Sequence, residues 1–258
     1  MADDRNELSS DEEFAKAVLE SVGAKVEPVE RSGDRTPDFQ IWFGTVHYIV
    51  EVKTRTEDDD RARHRREALQ RGDVAADSLE LRRSNTISGI IADGVDQLDA
   101  FDGPVAFRVL WVHTDGMFSE SYKLQFFNAL YGSTRLYDFY DKQFKVDGLY
   151  FRDSDFFRYR DSLDAAVSTM QVGEVCKLFC YLNDQSPRFD AIRTSPLVNA
   201  FPERLYDPIV QEAAGEALIV RGDVNRGNAA AVLAHLHKLT GRRLHHADFT
   251  HATAIVSV

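Results

Sequence analysis

Cysteine is scarce in this chain of 258 residues, with only Cys176 and Cys180. Both fall in Val175-Cys176-Lys177-Leu178-Phe179-Cys180-Tyr181, which reads as a buried strand. Four residues of strand separate two sulfurs by roughly 13 Å along one face, which excludes a mutual disulfide. Free thiols fit a reducing compartment, and we expect a cytoplasmic, soluble protein. No run approaches the ~18 apolar residues of a membrane span, so no membrane partner is expected. Met1-Ala2-Asp3-Asp4-Arg5 is acidic, with no apolar stretch behind it of the kind that marks a secretory signal. A basic surplus is missing too: the formal charge is −11, which argues against nucleic-acid binding by overall charge alone. Internal repeats and low-complexity linkers are lacking, so no firm domain boundary is marked.

What is present suits a folded α/β protein, with 43% hydrophobic residues and a charged fraction of 28%. Ser10-Asp11-Glu12-Glu13 has the form of a capping box, and Phe14, Val18 and Val22 continue it at helical spacing. Gly23 suits a left-handed stop. Strands are expected at 24–29, at 38–43 and at 47–53, with turns at 31–34 and at Gly44-Thr45. Residues 54–84 break the pattern with eight acidic and eight basic residues, including Arg61, Arg63, Arg65 and Arg66. Such a segment reads as a solvated helix or insertion, and the sharper alternative is a flap whose arginines reach phosphates. Ile87, Ile91, Val95 and Leu98 define an amphipathic helix over 85–101, capped by Ser84 or Asn85, and an apolar strand follows at 105–112. Helix, three strands, helix and strand make an α/β core with a mixed sheet. Beyond it the pattern predicts helices near 119–130 and 228–239 and strands near 148–152 and 175–182.

Pro37-Asp38 is followed after twelve residues by Glu51-Val52-Lys53. Side chains alternate along a strand, so Glu51 and Lys53 share one face while Val52 points away. A hairpin between the second and third strands brings Asp38 and Glu51 together near its open end. Two close carboxylates repel unless one is protonated or a cation lies between them. Hard oxygen donors favour Mg²⁺ or Mn²⁺, which activates water and steadies a phosphoryl transition state. Lys53 is placed to hold the attacking water or to donate to a phosphate oxygen.

This stretch resembles the PD-(D/E)XK nuclease superfamily, the restriction-endonuclease-like proteins whose shared core runs αβββαβ. The resemblance covers about residues 8 to 112. It implies that Asp38 and Glu51 are metal ligands, joined by the backbone carbonyl of Val52, and that Lys53 is the catalytic lysine. A glutamate from the first helix often completes such sites. Glu13 fits that position, ten residues before Gly23, with Glu20 in reserve. Gln97 resembles a glutamine that faces the site from the second core helix in several branches. The long insertion after Lys53 departs from the compact members.

On this reading the chain is a Mg²⁺-dependent nuclease, more specifically an endonuclease. Its nucleic-acid partner is DNA, because most relatives in the superfamily cut DNA. Residues 1–112 form the nuclease core with its insertion at 54–84. Residues 113–258 form a C-terminal α/β extension, separate or part of the same domain, that serves substrate contacts, a homodimer or a partner protein. Two other classes compete: a non-catalytic nucleic-acid-binding module of the same fold, and a protein-interaction domain with a coincidental charged trio. Two further clusters are set aside. His235, His237, His245, His246 and His251 lack the spacing of a zinc site. The aromatics between Phe118 and Phe157 read as core rather than as a base-stacking platform.

Overall fold

The computed structural model describes residues 8–30, 35–81, 84–172, 175–247 and 251–256. The turn read at 31–34 and the acidic residues 1–5 lie outside these segments.

Ser9 opens the first helix, α1 (Ser10–Ser21), and the box that caps it is reciprocal. The Ser9 hydroxyl accepts from the Glu12 N–H at 3.3 Å, and the Glu12 carboxylate accepts from the Ser9 N–H at 2.7 Å. The box therefore begins one residue earlier than the Ser10–Glu13 frame. Glu12 shares the buried face with Ala15 and Leu19, at i+3 and i+7, whereas Glu13 is exposed. Gly23, at φ 90°, turns the chain out of the helix.

An antiparallel meander follows: β1 (Lys25–Pro28), β2 (Phe39–Phe43) and β3 (Val46–Arg55). Next come α2 (Asp59–Gln70), β4 (Ala75–Glu80), α3 (Asn85–Asp99) and β5 (Phe107–Thr114), which lies parallel beside β3. Helix, three strands, helix and strand thus occur in that order, with α2 and β4 inserted after the third strand. The chain continues through α4 (Ser119–Tyr131), β6 (Thr134–Asp138), β7 (Lys145–Leu149), α5 (Asp155–Arg158), β8 (Ala165–Val172) and β9 (Val175–Leu182). It then forms α6 (Phe189–Arg193), α7 (Pro196–Ala200), β10 (Leu205–Tyr206), α8 (Pro208–Ala213), β11 (Ala217–Ile219), α9 (Ala229–Thr240), β12 (Leu244–Ala247) and β13 (His251–Val256).

The main sheet is mixed and seven-stranded, in the order β1-β2-β3-β5-β8-β9-β10, so it runs on without a break across residue 112. A four-stranded sheet, β11-β7-β6-β12, and the antiparallel pair β13-β4 complete the architecture. β5 lies between parallel neighbours, and all of its residues except Arg108 are buried, as a strand covered on both faces requires. Ile49, Leu110 and Val112 pack on one face against α3 and α4, and the smaller sheet adds Leu136, Val146 and Ile219 to that cluster. Val50, Trp111 and Val167 pack on the other face against α1, α6 and α7. No helix among the described residues is long and apolar enough to cross a membrane.

Two elements differ from expectation. The strand expected at 148–152 ends at Leu149. Tyr150 takes φ 56°, its N–H donates to the Tyr131 carbonyl at 2.7 Å, and its hydroxyl bonds Asp184. The charged segment is only half helical. α2 buries no side chain, but β4 pairs with β13 from Ala75↔Val256 to Glu80↔His251. Arg65, one of the candidate phosphate contacts, instead grips Glu57 through Nη2 at 2.7 Å. That bond and the guanidinium charge hold the Glu57 carboxyl below its ordinary range.

α3 comes close to the sheet at Gly94. A Cβ there would lie 2.5 Å from Leu110 Cδ1 and 3.7 Å from Glu51 Cγ, whereas a Cβ at Gly89 would meet nothing within 4 Å. Leu110 is fully buried and has nowhere to retreat. Gly94→Ala is therefore expected to destabilise the protein by about 1–3 kcal/mol through overpacking. Gly89→Ala, in the same helix, is expected to stabilise it by up to about 1 kcal/mol. Urea unfolding of the two variants checks the contrast, and equal shifts would refute the close approach.

Candidate functional site

β2 and β3 pair as far as Phe39↔Val50 and then separate. Past that point the Val52 N–H has no ladder partner on β2, and Asp38 supplies one: Oδ2 accepts from it at 2.8 Å. Pro37, buried just before Asp38, has no N–H and cannot extend the ladder. In a strand the N–H and C=O of one residue point to the same side, so the Val52 carbonyl also turns toward Asp38. The sequence folds here into a small opening lined by backbone and carboxylate oxygens.

Glu51 projects into this opening from the α3 side of the sheet and is 1% exposed. Its Oε1 accepts from Lys53 Nζ at 2.7 Å, and its Oε2 is buried with no geometrically sound hydrogen bond among the described residues, although the Asp38 carboxyl lies close enough to interact with Glu51. Lys53 Nζ also donates to Gln97 Oε1, and the Gln97 amide is oriented by a 3.3 Å bond from Nε2 to the Thr36 carbonyl. Asp38, Glu51 and Lys53, which the spacing placed together, converge here, and the Val52 backbone and Gln97, named from the resemblance, lie beside them.

Glu13 does not join them. It is exposed on the outer side of α1, and Glu20 is exposed as well, paired with Lys16 at 3.9 Å. The α1 carboxylate that reaches Asp38 is Glu12, which hydrogen-bonds it while also closing the capping box. Sequence reasoning missed Glu12 because Ser-x-x-Glu fits two frames one residue apart. The spacing to Ala15 and Leu19 would have chosen the right one. It also missed Thr54, whose hydroxyl donates to Asp11 Oδ2 at 2.5 Å and fastens the first turn of α1 to the end of β3.

The electrostatics follow from crowding acids out of water. Burial, reinforced by the Glu12 charge, lifts the Asp38 carboxyl to about 6 despite the Val52 N–H that favours its anion. Burial, reinforced by the Asp38 charge, lifts Glu51 to about 8 despite the Lys53 ammonium. At neutral pH without a cation, Glu51 keeps its proton. The unpartnered Oε2 is an oxygen that a divalent ion could use, and Asp38, Glu51 and the Val52 carbonyl are the residues that would hold one. Among the described residues no group of three or more His, Cys, Asp or Glu side chains is arranged to hold a metal ion.

The other clusters are occupied elsewhere. His235 bonds the Arg221 carbonyl, His237 the Arg242 carbonyl, and the His246 ring lies tilted against Phe151. Phe126 and Tyr131 are core, whereas Phe139 and Tyr140 are exposed.

Both carboxyls have folded values above their unfolded ones. Each therefore contributes stability that is intact below its unfolded pKa and lost as pH rises through its folded pKa. The windows run from 3.8 to about 6 for Asp38 and from 4.5 to about 8 for Glu51. In EDTA, wild type is expected to lose melting temperature from pH 5 to pH 8 more steeply than Glu51→Gln, which cannot ionise there. Mg²⁺ is expected to restore the wild type and not the variant. Parallel profiles for the two proteins would remove the buried-acid account.

No protein-family model, curated protein or solved structure matches this chain.

Proposed function

We propose that the chain is a metal-dependent nuclease of the PD-(D/E)XK type that hydrolyses phosphodiester bonds, in DNA and as an endonuclease. One observation carries this reading. At the opening between β2 and β3, the nearly inaccessible Glu51 carboxyl, one oxygen of which has no hydrogen-bond partner among the described residues, lies within the field of Asp38, and the Lys53 ammonium is held against it. The order α1, β1-β2-β3, α3, β5 and the parallel pairing of β3 with β5 support a restriction-endonuclease-like core.

In this reading Asp38, Glu51 and the Val52 carbonyl hold Mg²⁺ or Mn²⁺. When bound, the ion supplies Lewis acidity and lowers the pKa of its water. Lys53 keeps its ammonium at the mouth of the site through Gln97 and Glu51, where it donates to the attacking water or to a phosphate oxygen. Gln97 positions that ammonium. The apolar surroundings of Glu51, including Leu110 and α3, keep bulk water from screening these charges.

The test is cleavage of plasmid and oligonucleotide DNA with Mg²⁺, Mn²⁺ or EDTA. Wild type is expected to cut only with a divalent ion. Lys53→Ala is expected to lose about 10²–10³ in rate, the usual cost of removing a preorganised transition-state donor. Equal behaviour of wild type and variant across divalent metals would overturn the proposal. DNA binding without cutting would then favour a binding module, and the absence of both an interaction domain.

A further inference from the structure

Beyond Lys53 the strand β3 presents one more cation on the same face. Arg55 lies two residues on, roughly 6.6 Å farther along the strand. Its guanidinium rests 4.8 Å over the Tyr122 ring, and its Nε is shut off from solvent with no hydrogen-bond partner among the described residues. A cavity of about 470 Å³ opens there, lined by Arg55, by Arg61 of α2 and by Ser84, Asn85 and Thr86 at the start of α3. Ser84 caps α3 without a side-chain bond to the helix backbone, and Ser84, Asn85 and Thr86 line the hollow together with two arginines. Glu80 is the one acidic residue in the lining. Arg61 is tethered by Nη1 to the Ser78 carbonyl at 3.2 Å, which fixes α2 over β4 and leaves its other nitrogens for a ligand.

A concave site rich in N–H donors, with two guanidiniums and a buried unsatisfied Nε–H, suits an oxyanion that accepts several bonds at once. It lies one same-face step from Lys53, on the side away from Gln97. A chain of phosphates crossing the site would meet both places in turn. We propose that this cavity is a phosphate subsite, taking a backbone phosphate of the nucleic-acid strand adjacent to the one at Lys53. The proposal rests on the nuclease reading for the identity of the strand. It also accounts for how a chain of formal charge −11 engages a polyanion: through a local pair of arginines rather than an overall basic surface.

The experiment measures binding of a fluorescein-labelled DNA duplex by anisotropy in EDTA, between about 50 and 200 mM salt. Wild type is expected to bind without metal. Arg55→Met and Arg61→Met are each expected to flatten the slope of log affinity against log salt by about 0.9, the signature of one lost phosphate contact. Each is expected to weaken binding about tenfold or more. Arg63→Met removes an equal charge from an exposed residue paired with Asp60, and is expected to leave the slope unchanged. Circular dichroism checks folding, and the exposed Arg61 keeps the test open if Arg55→Met does not fold. The subsite falls if Arg55→Met and Arg61→Met share the slope of Arg63→Met, or if wild type shows no metal-independent binding. Slope changes in a protein that never cuts would uphold the subsite and overturn the nuclease reading. Cutting with unaltered slopes would do the reverse.

Discussion

Everything at the site depends on the place where one ladder of hydrogen bonds stops. At Val52 the backbone donor that should face a partner strand faces a carboxylate instead. That substitution brings Asp38 within the field of Glu51 and Glu12, and burial then makes the shared negative charge costly. Both acids respond by holding their protons to higher pH, and Glu51 keeps its proton at neutrality. A strand end is suited to this because its last backbone groups must be satisfied by something other than a neighbouring strand.

The surroundings keep that arrangement rigid. Gly94 lets α3 lie against Leu110, so the side of Glu51 away from Asp38 is walled by packed hydrocarbon. Gln97 is held by the Thr36 carbonyl and so presents its oxygen, not its nitrogen, to Lys53. Asp11 and Thr54 fix α1 to the far end of β3. Each contact joins a neighbouring segment to the same strand, and β3 lies between β2 and β5 in a sheet covered on both faces.

Much of this was legible in the residues. The alternation of Glu51 and Lys53 around Val52 follows from strand periodicity, and the pairing of Asp38 with Glu51 follows from a short antiparallel connection. The spacing of Ile87, Ile91, Val95 and Leu98 marked α3, but Gln97 was singled out only by the resemblance. Glu12 was not legible from the capping motif, because adjacent serines and adjacent glutamates make two frames with identical chemistry. Only which carboxylate shares the buried stripe with Ala15 and Leu19 separates them. β4 was hidden for another reason. Ala75–Glu80 alternates too weakly to read as a strand, and its partner β13 lies at the far end of the chain. Local pattern carries no information about so distant a pairing. The strand β8 escaped because its burial on both faces erases alternation.

The union of β4 with β13 has a consequence for how the molecule matures. Contacts between segments so distant along the backbone form late, since a long loop must close before they can repay its entropy. During synthesis the hairpin that carries Asp38 and Glu51 emerges well before β13 does. The ribbon beside Arg61 therefore gains its second strand only once the chain has been made as far as His251–Val256. A nascent chain would carry its acidic pair in place while one wall of the neighbouring hollow was still unsupported.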